Sequence, residues 1–417
     1  MERSHAPEVQ VTEKIEFISP AKLTTKSGIP FYAMQNPTSE AVRLELLFHA
    51  GAIYHNPVIA SVTAGLMLAG TSEHTMAEIH DKMDDLGGFF DSNLNAEFSV
   101  LNIYGLNESI CELVTLIENC LYNASFPASE LTHLLKDRKE KLKVRMEKVS
   151  VLSQRAFQEN LFAGTPYGVI SFPEDYDHIE RKDIVDFYEN YYKIGLRRIT
   201  FVGNLTDDEL SKMVGTFDRW ENKVNTNLPS FPAPKSGSIH IEKNGAVQVG
   251  LRIGKMLFDR KHPDYHKMMV VNTILGDYFG SRLMSNIRED KGYTYGIGSY
   301  VSENLHGVHF VIATEVGKEF MEDTLLQTRL EIEKLQSEPI SDAELSLVKN
   351  YLLGQILQSA DGPFAMMGLF SSVEINDLDY AFLDTSLQTI LTISPEEILE
   401  TAKQHLDWDQ MLIVTAG

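Results

Sequence analysis

Cysteine is scarce: the 417 residues hold two, Cys111 and Cys120. Both fall on one predicted helix, "ESICELVTLIENCLYN", too far apart along it to bridge, so no disulfide framework holds this chain together. Long apolar runs are missing too. Nothing approaches the ~20 consecutive apolar residues of a membrane-spanning helix. The opening "MERSHAPEVQVTEKIEF" lacks the basic start, apolar stretch and small-residue cleavage site of a secretory leader. Basic residues are outnumbered, 37 Lys and Arg against 59 Asp and Glu, for a net charge of −22. So acidic a chain lacks the basic footprint that nucleic acids require. The expectation is a cytoplasmic protein, or a periplasmic one whose leader has been removed, that binds neither nucleic acid nor membrane.

What is present is an ordinary globular composition, 43% hydrophobic and 23% charged, in a chain too long for one hydrophobic core. Two domains of about 200 residues each suit it. The order of elements repeats. The stretch "RWENKVNTNLPSFPAPKSGS" carries three prolines and little apolar periodicity, as a linker would. On either side of it, the strand "VRLELLFHAG" answers to "VQVGLRIGKM". The buried helix at 58–70, opened by Pro57 and closed at Gly70, answers to "YHKMMVVNTILGD", and the closing "ITFVGN" answers to "MLIVTAG".

Between these lie "MDDLGGFFDSNLNAEFSVLNIYGL" and "REDKGYTYGIGSYVSENLHGVHFVIATEV", each a helix end, a glycine break and a hairpin of alternating residues. Asp85-Leu86-Gly87 matches Asp290-Lys291-Gly292 at an offset of 205, and the closing strands match at an offset near 214. Offsets that keep their order and drift by one small insertion point to a duplicated α+β unit. The boundaries read as 1–221 for the first domain, 222–238 for the linker and 239–417 for the second. Each domain should hold four to six mostly antiparallel strands, with helices such as 130–148 and 319–337 on one face.

The duplicated unit, with "GLMLAGT", "NAEF", "TPYG", "ITFVGN" and above all "SRLMSNIREDKGYTY", resembles the M16 metallopeptidase family of insulinase, pitrilysin and mitochondrial processing peptidase. The resemblance covers nearly the whole chain. It implies two homologous M16-type domains and a clamshell of two such halves closing round an extended peptide.

Active members of that family carry H-x-x-E-H on the helix that corresponds to 58–70. Two imidazoles one turn apart face one zinc ion, and the Glu is the base for its water. In this chain Ser61 and Gly65 stand where the histidines belong and Ala64 stands in place of the base. None of the three can hold zinc or move a proton. The metal site is therefore expected to be absent, with no cofactor here and zinc only in a partner chain.

The family's third ligand, a Glu on the following long helix, falls around Glu140 to Glu147; both read as members of the solvated face of "KDRKEKLKVRMEK". His74 and Glu78 share a helical spacing, but His80 points well round the helix from His74. That stretch reads as a polar helix start capped by Thr71 or Ser72. His49 and His55, at a strand end, read as surface histidines.

The second half keeps what the first has lost. The resemblance implies an Arg, and a Tyr seven residues later, that project into the zinc site from the C-terminal half or from a partner chain. "REDKGYTY" supplies Arg288 and Tyr295. A guanidinium and a phenol are donors suited to the negative oxygen that peptide hydrolysis develops. Tyr293 is the alternative if the register slips by two, since alternate residues of a strand face one side. Asn95 and Ala96 match the family's substrate-binding edge strand, which pairs with an extended peptide.

The expected function is a non-catalytic subunit of a two-chain zinc peptidase. It would pair with an H-x-x-E-H subunit and form half of the peptide chamber. Made alone, the chain could form a homodimer and should cleave nothing. A scaffold or peptide-binding protein outside hydrolysis is the alternative, as the core subunits of respiratory complex III resemble the family without hydrolysing.

Overall fold

In the computed structural model, which describes residues 14–227 and 235–417, alternating apolar residues build two sheets. The first joins β1 (Ala21–Thr24), β2 (Pro30–Gln35), β3 (Ala41–Phe48), β4 (Phe89–Leu94), β5 (Ser99–Leu106) and β6 (Leu196–Gly203) in the order β1-β2-β6-β3-β5-β4. The second joins β7 (Gly237–Ile241), β8 (Gln248–Met256), β9 (Ile297–Ser302), β10 (His309–Gly317) and β11 (Leu412–Ala416) in the order β7-β11-β8-β10-β9. With β1 set aside, the two orders are the same. A parallel pair comes first, β2 with β6 and β7 with β11. Three antiparallel pairings follow in each. The repeat in the sequence is a repeat of topology.

The helices of the first half are α1 (Pro57–Gly65), α2 (Met76–Asp85), α3 (Ile110–Tyr122), α4 (Ala128–Met146), α5 (Val149–Leu161), α6 (Arg181–Phe187) and α7 (Asp207–Thr216). Those of the second are α8 (Tyr265–Leu275), α9 (Met321–Ser337), α10 (Asp342–Ser359), α11 (Gly362–Glu374), α12 (Tyr380–Thr392) and α13 (Pro395–His405). Asn56 caps α1, its Oδ1 accepting from the Val58 N–H (2.8 Å), with Pro57 at the first position. The helix ends at Gly65, earlier than the expected 70. Residues 66–69 continue as turns before Gly70, whose φ of +150° suits a residue without a Cβ.

Strand alternation shows what covers each face. In β6, Ile199 and Phe201 point with Phe31 and Ala33 into the core beneath the first half's own helices. Val202, on the opposite face with Tyr32 and Met34, is covered by Phe364, Met367 and Phe370 of α11, a helix of the second half. The arrangement is reciprocal. Phe310 and Ile312 of β10 face their own helices, while Val311, Leu412 and Val414 pack on Ala156, Phe157 and Leu161 of α5, a helix of the first half. Burying an apolar side chain of this size is worth roughly 1.5–3 kcal/mol, so each exchanged helix is a principal stabiliser of the other half's sheet. Ion pairs fix α11 in place: Glu374 meets Arg198 at 2.6 Å and Arg197 at 2.8 Å.

The expected linker narrows at both ends. Lys223 still bonds the first half, its N–H donating to the Ile194 carbonyl (2.7 Å), and Gly237 already begins β7. Residues 228–234 of that linker lie outside the described residues. Among the described residues no helix is long and apolar enough to cross a membrane. Cys111 and Cys120 are both free thiols.

Candidate functional site

Helix α1 packs against α4. From α4, Arg138 reaches Ser61, and its Nη1 donates to Ser61 Oγ. A Cβ built on Gly65 would lie 2.5 Å from Arg138 Nη2 and 3.0 Å from Leu134 Cδ2. The guanidinium thus fills the space into which longer side chains at 61 and 65 would project. Burial holds its pKa below the ordinary guanidinium value, but it stays charged at neutral pH. A single hydroxyl facing a resident cation is no donor set for zinc. The residues present do not fit the metal.

Arg138 escaped the sequence reading because it is one of seven basic residues in "KDRKEKLKVRMEK". A signal was available. Leu131 and Leu134 lie seven and four positions before it, so Arg138 continues the buried stripe of α4 rather than its wet side. Glu140 and Glu147 do lie on exposed surface, paired with Lys143 (2.8 Å) and Lys243 (2.7 Å).

Among the described residues, the remaining histidines of the first half gather no metal site. The cap of α2 is Thr75, not Thr71 or Ser72. Thr75 Oγ1 accepts from the Glu78 N–H (3.3 Å), and the Glu78 carboxylate accepts from the Thr75 N–H (2.8 Å), which commits Glu78 to the cap. Thr71 Oγ1 instead closes the preceding turn, accepting from the N–H groups of Glu73 and His74.

His55 is exposed, but His49 is not a surface residue. It packs on the rings of Tyr54 and Phe98, and burial, then the nearby Arg197, pushes its pKa down to about 4. One trio among the described residues, His262, Asp264 and His405, brings possible ligand atoms within 4.8 Å of one another. These groups serve each other: His405 Nε2 meets Asp264 Oδ2 at 3.0 Å, and His262 Nδ1 accepts from the Asp264 N–H at 3.1 Å. They tie the start of α8 to the end of α13.

Arg288 and Tyr295 come together. Arg288 sits on the helical turn Met284–Asp290, and Gly292, at φ +67°, reverses the chain behind it. The Arg288 Nε–H donates to the Tyr295 carbonyl (3.0 Å), and its guanidinium lies 4.7 Å from the Phe279 ring centroid and pairs with Glu289. Tyr295 is 98% exposed and Phe279 68% exposed. Tyr293 is not interchangeable with Tyr295, because β9 begins only at Ile297 and residues 293–296 form no strand. Its ring stacks on Phe320 (4.4 Å) and its hydroxyl donates to Asp323 (2.9 Å), which turns it inward onto α9.

Asn95 and Ala96 lie in the turn between β4 and β5, not on the sheet edge, which is β4 itself. Their carbonyls already accept from the N–H groups of Ala52 (3.1 Å) and Ile53 (2.9 Å), which ties this turn to the segment before α1. Gly51 lets this loop approach so closely: a Cβ there would fall 2.2 Å from the Ala96 carbonyl oxygen. The neighbour that the sequence reading passed over is Glu97. Its buried carboxylate accepts from the Tyr167 hydroxyl and, across the two halves, from the Leu305 N–H (2.9 Å). Burial pushes its pKa up. Ala96 and Tyr167 also line a cleft of ≈ 380 Å³ between the halves, with Arg252, Tyr300 and His309 on its far wall.

Comparison with known proteins agrees with this fold. Residues 31–169 match the family model described as Insulinase (Peptidase family M16), and residues 178–352 match that described as Peptidase M16 inactive domain. The chain belongs to the M16 peptidase family. An M16 relative, the uncharacterized zinc protease YmxG of Bacillus subtilis, is 21% identical over 401 residues, covering 94% of this chain and 97% of its own. A crystal structure titled as a peptidase M16 inactive domain, from Pseudomonas fluorescens, superposes with a TM-score of 0.88 at 22% identity, covering 96% of this chain and 98% of that one. A Helicobacter pylori protease structure gives a TM-score of 0.83 at 16% identity, covering 96% of this chain and all of its own.

Proposed function

We propose that this chain is the non-catalytic subunit of a two-chain M16 zinc peptidase, that it walls half of a chamber for an extended peptide, and that it presents Arg288 and Tyr295 to the metal-bearing partner. The observation that carries this reading is the presentation of the pair. Tyr295 is 98% exposed and its backbone carbonyl accepts from Arg288, while Tyr293, two residues before it, is turned inward. The chain has no chemistry of its own for the pair to serve, since Arg138 fills the space beside α1. In a complex, Arg288 would exchange Glu289 for the negative oxygen of the reacting peptide.

Mixing the chain with an H-x-x-E-H partner should create turnover of a quenched peptide that neither has alone. Arg288→Ala or Tyr295→Phe should each raise the barrier by about 2–4 kcal/mol and leave pairing intact. Wild-type rates with both removed would leave the chain a scaffold. The isolated, untagged chain should hold well under one zinc per molecule. Any stoichiometric zinc that vanishes in His405→Gln would belong to the α8–α13 trio and not to α1.

A further inference from the structure

Around α1 and α4, charge pairing divides the basic residues into two kinds. Three lysines of α4 are matched, Lys139 with Asp177, Lys141 with Asp137 and Lys143 with Glu140, while Lys136 has no ion pair among the described residues. The arginines are not. Arg138, half-buried, has five donor hydrogens and one acceptor, Ser61 Oγ, with no carboxylate at ion-pair distance among the described residues. Arg145 lies seven residues on, along the same face of α4, exposed and likewise without an ion pair among the described residues.

Arg155, from α5, gives Nη2 to the Ser171 carbonyl and stacks over Phe172 at 5.4 Å. Its guanidinium, too, meets no carboxylate at ion-pair distance among the described residues. Tyr176 lies on the helical turn Pro173–His178, which packs against α4 and directly follows Phe172. Two nearby acids are committed elsewhere, Asp137 to Lys141 (2.8 Å) and Asp175 to the Phe172 N–H (2.7 Å), and Glu159, one helical turn from Arg155, makes no ion pair with it.

Three unmatched guanidiniums make a positive cluster on a molecule of net charge −22. We infer that the arginine cluster flanking α1 is a carboxylate-binding site, in which Arg138, Arg145, Arg155 and the Tyr176 hydroxyl receive the free C-terminus or an acidic side chain of an extended peptide. Guanidinium forks match the two oxygens of a carboxylate, and Arg138 is already oriented by Ser61. Gly65 keeps the approach clear, because any side chain there would meet Arg138 Nη2. Peptide as the occupant rests on the chamber reading above, whereas the carboxylate chemistry rests on the cluster alone.

The test uses the full-length chain without a partner, so that failure here and failure of the two-chain reading are separate results. Fluorescence anisotropy would compare three labelled peptides of one extended sequence: a C-terminal acid with no acidic side chain, its C-terminal amide, and that amide with one internal Gln→Glu change. A carboxylate-bearing peptide should bind about tenfold or more tighter than the plain amide, with the advantage falling as salt rises. Preference for the first peptide identifies the C-terminus as the source, and preference for the third a side chain.

Arg138→Gln should abolish the advantage, Arg138→Lys should keep part of it, and Arg145→Gln, at an exposed position that folding does not need, should reduce it. Equal binding of all three peptides by the wild type, no binding of any, or an advantage unchanged in both Arg138→Gln and Arg145→Gln would overturn the inference.

Discussion

Polar side chains drawn into apolar surroundings set the pH response of this molecule. His49 and His266 are both pushed down to about 4, chiefly by burial. In the unfolded chain they titrate near 6.5, so between about pH 6.5 and 4 the unfolded state takes up protons that the native state refuses. Stability should be level above pH 6.5 and fall as pH drops through this window, by at most about 3 kcal/mol for each histidine. Glu97 runs the other way. Its folded pKa is raised, so the native state holds the extra proton and stability declines as pH rises from the ordinary carboxyl range toward the folded value.

Urea midpoints measured from pH 4 to 8 should show the acid-side fall flattened in His49→Gln and His266→Gln. The same measurement should show the small opposing slope removed in Glu97→Gln. Unchanged slopes would assign the titration to other groups. At this scale the sequence was a partial guide. The residue types at positions 61, 64 and 65 were visible in the sequence, whereas the contact from Arg288 to the Tyr295 backbone carbonyl is not something a seven-residue spacing specifies. The inward turn of Tyr293 was not visible, because it depends on Phe320 and Asp323, some thirty positions away.

Among the elements, α1 is defined by what fills the space beside it. Ser61→His, Ala64→Glu and Gly65→His would restore the family's motif against a resident guanidinium. Unit charges some 4 Å apart near a protein surface repel by about 4 kcal/mol, and zinc carries two. The triple variant should therefore stay nearly free of zinc, and adding Arg138→Ala should raise its zinc affinity at least about tenfold. Equal zinc content in the two variants would clear Arg138 of this role.

The exchanged helices invite a second measurement. Phe157→Ala in α5 and Met367→Ala in α11 should each cost about 2–5 kcal/mol and shift one cooperative unfolding transition, since each side chain lies on the other half's sheet. The repeat made β3 and β8 legible and alternation the two hairpins, whereas the burial of β6 on both faces, with Ile199, Thr200, Phe201 and Val202 all buried, came only from the structure. Which helix covers the second face is a long-range matter that no local pattern carries. The single-faced helix packing read from the sequence therefore describes each half's own helices and leaves out the exchanged pair.

For the molecule as a whole, the reciprocal packing of α5 and α11 makes the two halves one cooperative body joined by more than the connection between Asn227 and Lys235. A protease site engineered into that connection should give two fragments that co-elute after cleavage and separate only when denatured. Fragments that part in native buffer would show that the exchanged helices do not hold the halves together. The exchange also has a consequence in time. On the ribosome, β6 is complete at Gly203, yet α11 begins only at Gly362, about 160 residues later. At ~5–20 residues per second, the face bearing Tyr32, Met34 and Val202 stays bare for about 8–30 s of every synthesis. Newborn copies of this protein should thus depend on a holding chaperone during translation, long after their first 200 residues have left the exit tunnel.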